Sequence, residues 1–147
     1  MTARIGIAPL RPSDRAAWEI LARGYKAFYE TAHPESVYAE TWRGLRAGER
    51  IHGLGAHLDG RLVGIAHFLF HAQTWSADAC YLQDLFTAPD VRGQGVARAL
   101  IDAVAQAARA HGASKYYWQT RDTNLAARTL YDKVARHKGF IRYDYPL

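Results

Sequence analysis

The chain has 147 residues, enough for one hydrophobic core, and reads as a single domain over 1–147. Apolar residues at 49% and charged residues at 22% exclude a disordered chain, and no run approaches the roughly 20 apolar residues of a membrane span. The net charge of +5 comes from scattered basic residues, not a single tract, so neither nucleic acid nor a membrane is an expected partner. Met1 to Ile5 holds no apolar run that could act as a leader, and a cytoplasmic location is expected. The single cysteine, Cys80, excludes an internal disulfide and reads as a buried strand residue. Seven histidines are dispersed without a zinc-like spacing, so no metal is expected.

In chain order, Ile5–Ala8 reads as a short strand stopped by Pro9 and Pro12, after which Ser13-Asp14 offers a helix cap. Trp18, Leu21, Ala22, Tyr25, Phe28 and Tyr29 follow at helical spacing until Pro34 intervenes. A second amphipathic helix is expected over 36–47, with Val37, Thr41 and Leu45 on one side and Gly48 as its stop. Residues 53–58 and 62–70 read as a hairpin around Asp59-Gly60, and 80–87 as a third long strand closed by Ala88-Pro89-Asp90. Val96, Leu100, Ile101, Val104 and Ala108 mark a helix ending at Gly112. A strand at 115–120, a helix at 124–135 with Leu130 and Val134 inward, and a last strand at 140–145 complete the pattern. The order β-α-α-β-β-β-α-β-α-β predicts an α/β fold with a mixed sheet, the 115–120 strand lying beside 80–87.

The most informative stretch is the turn Arg92-Gly93-Gln94-Gly95-Val96-Ala97 between a strand and a helix. Glycines there let the backbone reach positive φ and a ligand approach without a Cβ in the way. The first turn of a helix also offers unpaired amides and partial positive charge, a natural seat for a pyrophosphate. A dinucleotide fold would want G-x-G-x-x-G early in the chain, and a Walker loop would want G-K-[ST]; both are absent. For the turn alone, a glycine-rich connection without any ligand stays open.

Arg92 to Ala97 matches the (Q/R)-x-x-G-x-(G/A) motif, and the chain resembles the GCN5-related N-acetyltransferases. Asn124-Leu125-Ala126-Ala127-Arg128-Thr129-Leu130-Tyr131 and Gly139-Phe140 are similar to that family's N-x-x-A-x-x-L-Y…G-F segment. Tyr29, Pro34 and Thr41-Trp42 look like its acceptor-side helices. The stretch Tyr81 to Phe86, with Leu130 to Ala135, looks closest to the diamine acetyltransferase and Hpa2-like branch.

The resemblance implies acetyl-CoA (coenzyme A) as co-substrate and acetyl transfer to an amine. Amides of Gly93, Gln94, Gly95, Val96 and Ala97 would hold the pyrophosphate, with Arg92 and Arg98 adding charge. The backbone of Leu85, Phe86 and Thr87 would pair with the pantetheine arm along a splayed strand edge. Asn124, Arg128 and Tyr131 stand at i, i+4 and i+7 and so share one helical face; with Ala127 they would meet the cofactor. Tyr131 is the candidate general acid, since a tyrosine with an ordinary pKa of about 10 keeps its proton for the departing thiolate.

Asp84 is a candidate base, but strand alternation sets it opposite Gln83, and only one of the two should face the acceptor unless a bulge intervenes. The diamine branch usually carries Glu where Gln83 stands, and that departure puts a polyamine acceptor in doubt. A polyamine, an amino acid, a lysine side chain, an aminoglycoside or another small amine all stay open. Tyr29, Gln83 and Trp118 are candidates to touch the acceptor, and Tyr25, His71 and Trp75 are weaker ones. The acceptor is expected to be a small-molecule amine, and the 140–145 strand offers an edge for a homodimer. A non-catalytic acyl-CoA-binding module of the same fold is the second reading; the presence of Tyr131 favours an enzyme.

Overall fold

The computed structural model describes residues 4–147. Strand β1 (Ile5–Pro9) leads through one helical turn at Pro12–Asp14 into α1 (Arg15–Phe28) and then α2 (Glu35–Ala47). Strands β2 (His52–Leu58), β3 (Arg61–His71) and β4 (Ala79–Thr87) form a meander. Helix α3 (Val96–His111), β5 (Lys115–Tyr117) and α4 (Leu125–Val134) follow. The sheet order is β1-β2-β3-β4-β5, with every pair antiparallel except β4–β5. This is the mixed α/β architecture the sequence predicts, including the parallel strand beside β4.

Local chemistry explains most boundaries. Asp59 and Gly60 both have positive φ (52° and 83°), the mirror-image turn whose twist matches a two-residue hairpin. Asp14 is buried but does not cap α1: its carboxylate accepts from the Arg11 amide at 2.8 Å and lies 2.9 Å from the His57 ring, tying the turn to β2. Cys80 is buried in β4, as expected, and burial pushes its thiol up to about 11.

Two strand expectations need correction, and the side of α2 formed by Val37, Thr41 and Leu45 lines a cavity. In α2 the buried stripe is Tyr38, Trp42 and Leu45, while Val37 is 37% exposed and Thr41 only half-buried. The aromatic surfaces take the core side, where Trp42 packs on Trp18 at 5.2 Å. Strand β5 ends at Tyr117 instead of 120. The segment 140–145 is not a strand: Phe140 and Tyr145 are more than four-fifths exposed, and no strand pairs with it among the described residues. A strand exists only where another backbone takes its hydrogen bonds, and alternation of residue types cannot supply that partner.

Helix α3 buries Val96, Leu100, Ile101, Val104 and Ala108, the predicted stripe, and packs on the sheet opposite α1 and α2. Gly64 of β3 lets it sit close. A Cβ there would lie 2.7 Å from Val96 Cγ1 and 3.0 Å from Leu100 Cδ1. We expect Gly64→Ala to lift the start of α3, costing about 1–3 kcal/mol by overpacking. Thermal unfolding should show the loss. Among the described residues, no helix is long and apolar enough to cross a membrane.

Candidate active site

Strands β4 and β5 form a wedge. They pair only from Ala79↔Lys115 to Tyr81↔Tyr117; beyond Tyr81 that edge of β4 has no strand beside it among the described residues. Leu85, Phe86 and Thr87 lie on this open stretch while their other edge stays paired to β3. The Thr87 hydroxyl is buried without a hydrogen-bond partner, an orphaned polar atom where the strand runs out. Gly24 of α1 lets Phe86 pack closely, since a Cβ there would sit 3.1 Å from its ring.

At the end of the wedge the chain turns through Arg92 to Gly95 into α3. Gly93 and Gly95 have φ of 81° and 86°, and the space a Cβ would occupy is open at both. No main-chain hydrogen bond is donated by the amides of Gly93–Ala97 among the described residues, so they remain free for an anion. Arg92 bends back over β4, its Nε donating to the Thr87 carbonyl at 3.3 Å and its guanidinium 5.4 Å from the Phe86 ring. Gln94 and Arg98 are exposed beside the turn. The cradle therefore fits a diphosphate: free amides, cations and no side chain in the way.

Asn124 precedes α4 instead of lying within it; its carbonyl accepts the Arg128 amide at 3.0 Å and its side chain donates to Thr120 Oγ1 at 3.0 Å. Arg128 donates to the Asp122 carbonyl at 2.8 Å. Ala127 is half-buried. Tyr131 packs edge-on against Trp118, ring centroids 5.5 Å apart, and its hydroxyl bonds no group among the described residues. Burial, and then the nearby Tyr29, raise its pKa above the ordinary tyrosine value. Trp118 therefore supports Tyr131.

A cavity of about 230 Å³ opens between α1, α2, and strands β3 and β4. Its wall includes Tyr25, Lys26, His33, Tyr38, Gln83 and Asp84. A bulge brings Gln83 and Asp84 to the same cavity: the β3–β4 register runs His67↔Asp84 and then Phe68↔Leu82, leaving Gln83 unpaired. The choice that strict alternation imposes is thus removed. Tyr29 stacks edge-on with Tyr25 at 5.0 Å.

Asp84 is deeply held. Its Oδ2 lies 2.9 Å from His67 Nδ1, and the Trp18 indole donates to His67 Nε2 at 2.9 Å. Burial pushes the Asp84 carboxyl up, but hydrogen bonding from His67, the Lys26 charge and the Tyr25 hydroxyl outweigh it and leave the pKa below the ordinary carboxylate value. Burial first, and then the negative charge of Asp84, push Tyr25 strongly upward.

The structure separates the weaker candidates. Trp75 is 95% exposed, and His71 pairs with the Tyr117 hydroxyl at 2.8 Å away from the cavity wall. Sequence reasoning passes over Trp18, Lys26 and His67. His67 carries one legible signal, a polar residue inside the otherwise apolar run Leu62–Phe70.

Against this geometry the comparisons are consistent. Residues 15–135 match the acetyltransferase (GNAT) family. The chain is 33% identical over 144 residues to the D-amino-acid N-acetyltransferase HPA3 of Saccharomyces cerevisiae, covering 95% of this chain and 89% of that one. It is 30% identical over 135 residues to the thialysine N-epsilon-acetyltransferase of Mus musculus, covering 85% and 79%. Among solved structures, a ribosomal-protein-alanine N-acetyltransferase from Brucella melitensis biovar Abortus superposes with a TM-score of 0.82 at 28% identity, covering 98% of this chain and 99% of that one. The aminoglycoside N-acetyltransferase AAC(6')-Iy in complex with CoA shares the fold, with a TM-score of 0.87 at 18% identity over 100% and 97% of the two chains. The chain belongs to the GNAT acetyltransferase family and is an N-acetyltransferase.

Proposed function

We propose that the protein moves the acetyl group of acetyl-CoA to the amine of a small acceptor by direct attack in a ternary complex. One observation carries this reading: the open edge of β4 joins a carboxylate-bearing cavity to a helix start whose amides are unspent. The amides of Gly93, Gln94, Gly95, Val96 and Ala97 grip the diphosphate, with Arg92 and Arg98 supplying charge. The backbone of Leu85, Phe86 and Thr87 pairs with the pantetheine arm, and the Leu85 amide polarises the thioester carbonyl. Asn124, Ala127 and Arg128 border the cofactor, and Tyr131 protonates the leaving thiolate.

Asp84 receives the acceptor ammonium. An amine with a lysine-like pKa of about 10.4 outranks a carboxylate near 3.9 by roughly 6.5 units, about 9 kcal/mol, so Asp84 cannot keep the proton. It binds the ammonium and passes the proton to water, leaving the neutral amine to attack. Lys26 on the same wall is matched by a carboxylate and opposed by a second ammonium. An amino acid or similar amino-carboxylate therefore fits better than a polyamine, and Gln83, neutral beside Asp84, fits the same preference. The names of the yeast and mouse relatives agree with that choice. The common core of the described residues supports one domain over 1–147, and the exposed Phe140, Ile141, Tyr143 and Tyr145 support a homodimer.

An amine panel with acetyl-CoA, read by free-thiol release, tests the reading. Amino-carboxylates should accelerate release more than polyamines; acetyl-CoA binding without acceleration by any amine would leave a binding module. Asp84→Asn should lower acceptor kcat/KM by roughly 10²-fold with little change in the acetyl-CoA KM. Because the Asp84 pKa is depressed, the wild-type acid limb should lie below the ordinary carboxylate range.

A further inference from the structure

Asp84 is half-buried, and left alone it would be a poor anion. Its one strong side-chain partner is His67, which is 8% exposed, directly opposite it on β3. Behind His67 stands Trp18 of α1, 1% exposed, with its indole N–H on His67 Nε2 at 2.9 Å. The two bonds together fix the imidazole. An indole N–H only donates, so Nε2 must present its lone pair; an ionised carboxylate only accepts, so Nδ1 must carry the hydrogen. The direction of each bond is thereby set by chemistry.

We propose that Trp18 and His67 are positioning residues that orient Asp84 as the anchor for the acceptor's ammonium, a role that rests on Asp84 facing the acceptor. Oδ2 is committed to His67 Nδ1–H at 2.9 Å, leaving Oδ1 for the cavity, and the Tyr25 hydroxyl donates to the neighbouring Gln83 carbonyl at 3.4 Å. His67 itself shuttles no proton, because its only free lone pair is taken by Trp18. Tyr25 and Lys26 of α1, His33 ahead of α2 and Tyr38 of α2 are the other titratable groups on the same cavity wall. The bulge at Gln83 belongs to this arrangement, since it restores His67 and Asp84 as a direct cross-strand pair while both Gln83 and Asp84 reach the cavity.

Two measurements test the proposal. The first is the 15N spectrum of the imidazoles near pH 7.5, with His67 assigned by the signals lost in His67→Gln. The expected form carries hydrogen on Nδ1 and a bare Nε2; an Nε2–H form would overturn the relay. The second compares His67→Gln with His67→Leu. A glutamine amide can donate to Asp84 and accept from Trp18, so it should raise the acceptor KM by less than about threefold. Leucine does neither, and should raise the acceptor KM by about tenfold or more while leaving the acetyl-CoA KM within about twofold. Equal acceptor KM in both variants and wild type overturns the positioning role. The spectrum is read without any acceptor, so a protein that acetylates no amine yet keeps the Nδ1–H form contradicts the transferase reading and still supports the relay's geometry.

Discussion

Tyr131→Phe is expected to lower kcat by about 10²- to 10³-fold, with kcat/KM falling in parallel. The hydroxyl bonds no other group among the described residues, and the Phe ring keeps the contact with Trp118, so the change removes a proton and not a packing element. Both KM values should stay near wild type, because the interaction exists only as the thiolate departs. The pH profile gives a second check. An acid works below its pKa, and burial followed by the charge of Tyr29 raises that of Tyr131. The alkaline limb of kcat should therefore lie above the ordinary tyrosine value of about 10, and Tyr131→Phe should abolish that limb. Steady-state kinetics across pH would show it; an undiminished kcat in the variant removes Tyr131 from the chemistry.

Gly95→Val should cost the cofactor most. Gly95 caps α3 with φ 86° and ψ 10°, a conformation that a β-branched residue adopts only with strain of about 1–2 kcal/mol. Space is available, so the fold survives, but the new methyls stand before the amides proposed to hold the diphosphate. We expect the acetyl-CoA KM to rise by roughly 10²-fold, about 2.7 kcal/mol. Gly112→Val is the control. Gly112 ends the same helix at φ 85° with open space, so the strain is alike while the phosphate cradle is untouched. Both variants should lose a few degrees in Tm, by about the same amount. Only Gly95→Val should lose affinity for acetyl-CoA.

How far the sequence reached depended on the range of the forces involved. The hairpin at Asp59-Gly60, the α3 stripe and the glycine turn were legible because each is fixed by backbone preferences within a few residues. The fully buried stripe of α2 was not legible, because Val37, Thr41 and Leu45 share a periodicity with the heavier stripe Tyr38, Trp42 and Leu45. Only the presence of Trp18 across the interface selects the second. The 140–145 segment was misread for a related reason: alternation describes how a strand would present its side chains, and the described residues provide no backbone to pair with it.

By itself, the sequence determined the order of the elements through α4, the mixed sheet and the glycine turn before α3, since these follow from local periodicity and from glycine and proline stereochemistry. The tertiary structure decided the acceptor side. One extra residue in β4 brings Gln83 and Asp84 to a single cavity, and two residues 49 positions apart, Trp18 and His67, close the hydrogen-bond chain behind the carboxylate. A bulge and a contact between distant segments are set by how whole elements pack, and no short stretch of residues encodes them.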